Sequence, residues 1–156
     1  MLTITDKVLE MLEKREFVTI ATVSPEGQPN SVPRFFLRAK GNHIYLIDHV
    51  MGQTVWNIRE NPRVSVSFMN HDTLEGYRIN GTAKVISKGR IYDAMMKRWN
   101  ERVIELSADR VIEAVRTGRK RGHYEVEISD KLTILKVRVE SVIKIGRKGD
   151  IWNENV

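Results

Sequence analysis

The sequence predicts a mainly β fold with helical additions, built as a six-stranded antiparallel barrel. Two observations lead to this prediction. Six short runs rich in Val, Ile, Phe and Tyr are separated by turn signals, as in antiparallel barrels and sandwiches. A stretch from about 90 to 118 instead has apolar residues at helical spacing. The chain of 156 residues is long enough to bury a core, and we expect a single domain over 1–156.

The strands follow from these runs and from the turns between them. A Ser-Pro-Glu-Gly turn at 24–27 separates the first two runs, and Lys-Gly-Asn at 40–42 is a hairpin signal before the third. The first run is apolar on both of its faces, as expected for a strand of a barrel interior. We predict strands over 17–23, 32–37, 43–47, 64–68, 77–85 and 132–145.

In the last two strands, alternation marks the side chains that share a face. In the fifth strand these are Tyr77, Ile79, Gly81, Ala83 and Val85. In the sixth strand they are expected to be Leu135, Val137, Val139, Ile143 and Ile145. Six strands of this kind are enough to close a small antiparallel barrel.

Two short helices are predicted outside the 90–118 insert. Residues 1–14 have the pattern of a short amphipathic helix. Val55 and Ile58 share one face of a helix of one or two turns, which Asn61-Pro62 ends.

The insert itself has an apolar stripe formed by Ile91, Met95, Trp99, Val103 and Leu106. Ser107 is placed as the N-cap of a second helix, and Gly118 as its C-terminal stop. We therefore predict a pair of helices packed on the barrel. The alternative is that part of this pair covers a ligand pocket.

The composition excludes several kinds of chemistry. The chain has no Cys, which rules out disulfides, iron–sulfur clusters and thiolate metal sites. The four histidines lack metal-site spacing, and no Walker loop, GxGxxG or GxSxG motif is found. No apolar run reaches membrane-spanning length, and the N-terminus has no signal-peptide pattern. We expect a cytoplasmic protein with no membrane partner.

The charge balance favours anionic partners. There are 26 Lys and Arg against 20 Asp and Glu, a formal charge of +6. The densest basic cluster is Arg116, Arg119, Lys120 and Arg121, which is typical of a solvated loop. The three Trp residues do not form a row for stacking bases. The balance thus favours phosphorylated cofactors, nucleic acid or acidic surfaces in general, and of these nucleic acid is supported only by the net charge and this cluster.

The segment 51–54, Met-Gly-Gln-Thr, lies just before the short helix. Its backbone N–H groups and the Thr54 hydroxyl are expected to converge at the helix N-terminus, where the helix dipole attracts an anion such as a phosphate. Many strand–loop–helix units bind nothing, so a plain connector is the alternative.

Four phrases in order carry a resemblance to a known family. They are TIATV at 19–23 followed by Gly-x-Pro at 27–29, IYLI at 44–47, NIxxNPRV at 57–64 and INGTA at 79–83. In this order and spacing the chain resembles the pyridoxamine 5′-phosphate oxidase-like superfamily of FMN-binding split barrels, above all its small FMN-binding and flavin-reductase-like members. The resemblance covers about residues 5–87, with a looser match at 132–145.

The resemblance implies a homodimer with FMN in a groove at the subunit interface, against the second and third strands. It places the FMN phosphate at Gly52, Gln53 and Thr54. A phosphate monoester carries a charge of about −1.5 to −2 at neutral pH and needs several donors. The chain departs from the family here, because many relatives have a Lys at one of the last two positions.

Arg34 is the candidate for the missing cation, since family members place flavin-contacting residues in this strand. An Arg among apolar neighbours needs a partner, which a bidentate phosphate contact would provide. The alternative is an ion pair with a carboxylate such as Asp48 or Glu75.

The remaining cofactor-binding candidates lie on the same two strands. The backbone around Val32, Pro33 and Phe35 is expected to face the isoalloxazine, and Asp48 and His49 end the third strand beside the same groove. His49 has a second interpretation as a solvated strand-end residue.

Asn57 is expected to hold the loop through its side chain rather than to bind ligand. No side chain is marked as a general acid or base, so no catalytic residue is assigned.

The implied activity is that of an oxidoreductase. A reduced nicotinamide or a protein donor would pass electrons through FMN to a small acceptor, with the cofactor carrying the chemistry. Two alternatives stay open. The protein is a non-catalytic FMN carrier or store, or the same fold binds the deazaflavin F420 or, with His49 or His123 as a trial axial ligand, haem.

Overall fold

The computed structural model describes residues 4–118 and 131–154. Arg119, Lys120, Arg121 and His123, which the sequence analysis singles out, lie outside the described residues. The helices are α1 (Asp6–Glu13), α2 (Gln53–Glu60) and α3 (Arg90–Thr117). The strands are β1 (Phe17–Val23), β2 (Pro29–Lys40), β3 (His43–Asp48), β4 (Arg63–Met69), β5 (Gly76–Ile86), β6 (Thr133–Ile145) and β7 (Ile151–Asn153).

Strands β1 to β6 form a closed six-stranded antiparallel barrel, which confirms the predicted fold class. The hydrogen-bonded order is β3-β2-β1-β4-β5-β6, and the barrel closes because β6 also pairs with β3. The hairpin glycines Gly27 and Gly41 have φ of 84° and 60°, values that an L side chain adopts only at a cost. The short strand β7, which pairs with the end of β6, was not predicted.

A β-bulge changes the inward face of β6 halfway along the strand. Asn80 pairs with Ser141 and Gly81 pairs with Val139, so Glu140 is an extra residue without a partner on β5. The bulge shifts the alternation by one residue, because successive side chains point to opposite faces. After the bulge Val142 is buried instead, so the prediction that Ile143 and Ile145 continue the inner face was wrong.

Two apolar clusters stabilise the fold, one inside the barrel and one outside it. The interior cluster includes Val18, Ile20, Leu46, Ile79 and Val137. The outer cluster packs α3 against the outer faces of β2, β3 and β6, and its members are Phe35, Leu37, Tyr45, Ile47, Met95, Trp99, Leu106, Leu132 and Ile134. Trp99 is fully buried and lies 5.0 Å from the Phe35 ring, so it anchors the helix.

The 90–118 insert is one continuous helix rather than the predicted pair. Its interior contains no Gly or Pro to break it, and Ser107 lies within the helix instead of capping a second one. Ion pairs from Glu105 to Arg98 and Arg102 stabilise the segment just before this serine. Gly118 is the C-cap in the left-handed conformation, as predicted.

The two short helices cover opposite ends of the barrel. Asn57 of α2 bonds to Thr22 at the end of β1, whereas Lys7 of α1 pairs with Glu75, which precedes β5. Helix α1 begins at Asp6 rather than at the N-terminus. Among the described residues no helix is long and apolar enough to cross a membrane.

We predict that Gly81→Ala strongly destabilises the barrel. A Cβ at this position would clash with the Arg138 carbonyl oxygen, because the backbones approach closely at the bulge. We expect a loss of about 2–4 kcal/mol in the free energy of unfolding, measured with urea. The control is Gly41→Ala, which meets open space and should cost only about 1–2 kcal/mol for its positive φ. Equal losses in the two variants would contradict the close approach.

Candidate functional site

The barrel end beneath α2 contains a group of polar side chains, here called the polar plug. Its members are Thr22, Asn30, Arg34, Asp48, Thr54 and Asn57. All are buried except Asn30, which is half-buried. They come from β1, β2, β3 and α2, so three strands and a helix meet at this point.

Strand alternation explains why polar groups lie inside. In β1 the inward residues Val18 and Ile20 are followed two positions later by Thr22. In β2, Arg34 lies between Val32, which packs on the interior cluster, and Phe36, which belongs to it. The apolar interior therefore changes to polar at this end of the barrel.

Hydrogen bonds connect α2 to the first two strands. The Thr22 hydroxyl accepts from Asn30 Nδ2 at 3.2 Å and from Asn57 Nδ2 at 3.0 Å. The Thr54 hydroxyl accepts from Asn30 Nδ2 at 3.1 Å, and Arg34 Nη2 lies 3.5 Å from it. Asn57 thus holds the loop–helix unit through its side chain, as expected.

Arg34 and Asp48 form a buried ion pair. The distance from Arg34 Nε to Asp48 Oδ2 is 3.2 Å, and the side chains are 7% and 0% exposed. These two atoms are not aligned for a hydrogen bond, so the two side chains attract each other by charge alone at this contact. Asp48 is therefore the carboxylate that pairs with Arg34, while Glu75 pairs with Lys144 at 2.9 Å.

The same pair fixes the loop after β3. Asp48 Oδ1 accepts from the backbone N–H groups of Val50 at 2.9 Å and Met51 at 3.2 Å. Arg34 Nη1 donates to the Pro33 carbonyl at 2.8 Å. Met51 has φ of 48°, a conformation that costs a non-glycine residue about 1 kcal/mol and that these bonds help to maintain.

Helix α2 begins at Gln53, so Gln53 and Thr54 are its first two residues rather than part of the preceding loop. Its N-cap is Gly52, which supplies no side-chain acceptor, and the first turn has no acidic residue. Gln53 is exposed and its Nε2 donates to Asn57 Oδ1 at 2.7 Å. This N-terminus retains the positive end of the helix dipole without a side-chain cap.

The other predicted site residues lie on the outer surface of the same region. Pro33 is exposed, and Phe35 is buried beneath α3 with its ring 5.8 Å from that of His49. His49 is exposed at the end of β3. The structure therefore brings the predicted residues together in two layers, with Arg34, Asp48, Thr54 and the inward-facing Val32 inside the barrel and the others on or near its surface.

Sequence reasoning missed two members of the polar plug, Thr22 and Asn30. The signal for Thr22 was available, because it occupies an inward position of a strand that is otherwise apolar there. Asn30 stands opposite it in the β1–β2 ladder, so the register would have placed it in the plug. Among the described residues no group of three or more His, Asp or Glu is arranged to hold a metal ion.

The chain belongs to the pyridoxamine 5′-phosphate oxidase family. The sequence model of the family described as pyridoxamine 5′-phosphate oxidase matches residues 4–145, nearly the whole chain. A relative in Methanocaldococcus jannaschii, an uncharacterized protein, is 32% identical over 89 residues, or 55% of this chain. The aligned part spans 58% of the length of that relative.

Solved structures share the fold at low sequence identity. A Clostridium acetobutylicum protein related to general stress protein 26 has a TM-score of 0.67 and 16% identity, with 98% and 97% of the two chains covered. An FMN-binding protein of Nostoc punctiforme has a TM-score of 0.54 and 15% identity, covering 95% and 91%. An F420 reductase has a TM-score of 0.57 and 17% identity, covering 89% and 98%.

We predict that Arg34 and Asp48 are strongly coupled in stability. Arg34→Met leaves a buried carboxylate without its counter-ion and should cost about 3–5 kcal/mol of unfolding free energy. Adding Asp48→Asn removes that charge but keeps an Oδ1 acceptor for Val50 and Met51, so the double variant should recover at least about 1.5 kcal/mol. Urea unfolding of the two single variants and the double variant measures this coupling. Additive losses would show that the pair does not interact energetically.

Proposed function

We propose that this protein binds FMN at the surface formed by β2, β3 and the start of α2 and acts as a flavin-dependent oxidoreductase. The family match over residues 4–145 supports the flavin class. The observation that carries the placement is the helix N-terminus at Gly52, which has no side-chain cap and lies beside Arg34 through the Thr54 contact. An anionic cofactor group complements this combination.

The chemistry of the donors fits a phosphate. The first-turn N–H groups of α2 and the Gln53 amide are hydrogen-bond donors, and no acidic residue in that turn opposes an anion. Arg34 adds positive charge behind them, although Asp48 compensates part of it at 3.2 Å. In this proposal Gly52, Gln53 and Thr54 form the phosphate end of the site.

The ring end of the site would lie along β2 and β3. The backbone of Val32, Pro33 and Phe35 would face the isoalloxazine, and the exposed His49 imidazole would contact the ribityl chain or the phosphate. A bound flavin supplies hydride and electron transfer between a nicotinamide or protein donor and a small acceptor. The chain would contribute binding and orientation, since Phe35 of β2 packs on Trp99 of α3 at this position.

We further propose that the protein is a homodimer with the flavin at the interface. Three large apolar side chains, Val50, Met51 and Trp56, are 58%, 41% and 61% exposed around the start of α2. A cluster of this kind beside a ligand site is typical of a surface that a partner subunit covers. A monomeric mass in sedimentation equilibrium would contradict the proposed dimer, and the flavin site would then have to be formed by one subunit.

F420 is the second candidate cofactor. Two observations support it. An F420 reductase shares the fold, and the phosphate end of the site has the uncharged Gln53 and Thr54. The F420 phosphate would use the same donors as the FMN phosphate. The predicted site is therefore the same for both cofactors, and only the identity of the released chromophore distinguishes them.

The first test is an absorption spectrum of the purified protein, followed by denaturation and identification of the released chromophore. We expect flavin bands and free FMN, and then turnover of NADH or NADPH with a small acceptor. Release of F420 would assign the second cofactor, and bound FMN without turnover would indicate a carrier. A colourless protein that takes up neither added FMN nor added F420 would contradict the proposal.

The phosphate placement predicts opposite effects for two substitutions of Gln53. Gln53→Lys adds a charge-assisted donor and should tighten FMN binding about tenfold, whereas Gln53→Glu adds repulsion and should weaken it about tenfold. Fluorescence titration with FMN measures both. Gln53 is exposed and contacts the polar plug only through its bond to Asn57, so its replacement disturbs the plug less than replacement of the buried Arg34 or Thr54.

The matched controls are Asn100→Lys and Asn100→Glu, which make the same charge changes at an exposed position of α3. We expect both to change FMN affinity less than twofold. If the Gln53 variants resemble these controls while wild-type FMN binding is intact, the phosphate lies elsewhere.

A further inference from the structure

A strongly positive surface lies on the outer face of four adjacent strands, away from the polar plug. We call it the basic face. It consists of Arg38 and Lys40 on β2, His43 and Tyr45 on β3, Lys136 and Arg138 on β6, and Thr82 and Lys84 on β5. His43, Thr82, Lys84, Lys136 and Arg138 line a concave region of about 390 Å³.

The strand register arranges these side chains in two rows. From β5 across β6 and β3 to β2, the first row consists of Lys84, Lys136, Tyr45 and Arg38. The second row, in the same strand order, consists of Thr82, Arg138, His43 and Lys40. Neighbouring strands lie about 4.8 Å apart, so the rows extend about 15 Å across the barrel surface. Neither row contains an acidic residue.

Most of these cations have no acidic partner. Arg138 is the exception, because its Nη2 lies 2.9 Å from Glu140 Oε1. Arg38, Lys40, Lys84 and Lys136 make no ion pair with any residue in 4–118 or 131–154. Elsewhere Lys144 pairs with Glu75 and Arg98 with Glu105, so cations beside a carboxylate do form ion pairs.

This arrangement lowers the stability of the free protein. Like charges directly opposite on neighbouring strands repel each other, and Lys84 opposite Lys136 is such a pair. The environment also acts on His43, since burial and the charges of Lys136 and Arg138 lower the pKa of its imidazole. A surface built in this way is electrostatically complementary to an anion.

We propose that the basic face binds a small molecule that carries several phosphate or carboxylate groups. Four unpaired cations and the imidazole of His43 offer donors to more than one anionic group at a time, which a single phosphate would not fill. The Tyr45 ring lies within one row, between Lys136 and Arg38, and its centroid is 6.0 Å from Lys136 Nζ.

This site is separate from the proposed flavin site. His43 and Asp48 are at opposite ends of β3, five residues or about 17 Å apart. The proposal therefore does not depend on the identity of the cofactor, and the two are tested independently.

The test is a calorimetric titration of the purified protein with inorganic triphosphate at low salt. We expect saturable binding, and the double variant Lys84→Gln with Lys136→Gln should bind at least tenfold more weakly. The control double variant, Lys88→Gln with Lys97→Gln, removes the same charge at exposed positions outside the basic face and should bind within twofold of wild type. Circular dichroism confirms that both variants fold.

A second readout follows the His43 imidazole by NMR. Bound triphosphate should raise its pKa, because an added anion favours the charged imidazolium. The same titration is repeated with citrate. Tighter binding of triphosphate would indicate a ligand that carries phosphates, and tighter binding of citrate would indicate one that carries carboxylates. Absence of triphosphate and citrate binding, equal weakening in both double variants, or binding of single-stranded DNA alone would overturn the proposal.

Discussion

The end of the barrel beneath α2 depends on one buried ion pair, between Arg34 and Asp48. Two charges removed from water are costly unless they are paired and their remaining polar groups are bonded. Here the carboxylate accepts two loop N–H groups and the guanidinium donates to a carbonyl, so both charges are compensated. Through the Thr54 hydroxyl the pair also reaches α2, and the loop, the strands and the helix are held in one arrangement.

This compensation has a consequence for ligand binding. Because Asp48 lies 3.2 Å from the Arg34 side chain, a phosphate at α2 would experience the field of a dipole rather than of a free cation. The helix N-terminus would then supply much of the attraction, which amounts to only about 0.3–2 kcal/mol for a helix dipole. In the proposed site Arg34 would act mainly as a structural residue, and the exposed position 53 would be where phosphate affinity is adjusted most directly.

The sequence predicted the barrel well because its strands have strong alternation and clear turns. All six barrel strands and the C-terminal stop of α3 were found in this way. The errors have local causes: the only mark of the Glu140 bulge in the alternation is the polar Ser141 at a predicted inward position, and Ser107 resembles an N-cap although the helix continues through it. The predicted site residues lie in one region of the structure, but their division between interior and surface depends on strand parity and on contacts between distant segments, such as Asn57 with Thr22.

The distribution of charge separates the two ends of β2 and β3. At one end the charge of the buried Arg34 is compensated by Asp48. The pair holds this end of the barrel together and leaves only a weak electrostatic field at the surface. At the other end Arg38 and Lys40 face solvent without acidic partners among the described residues, and β6 and β5 add more cations in the same rows. Uncompensated charge of one sign raises the free energy of the folded state, so an anion bound at the basic face would stabilise the barrel as well as be attracted to it. The proposed flavin site and the proposed anion site on the basic face would therefore lie on the same pair of strands but differ in whether their cations are paired.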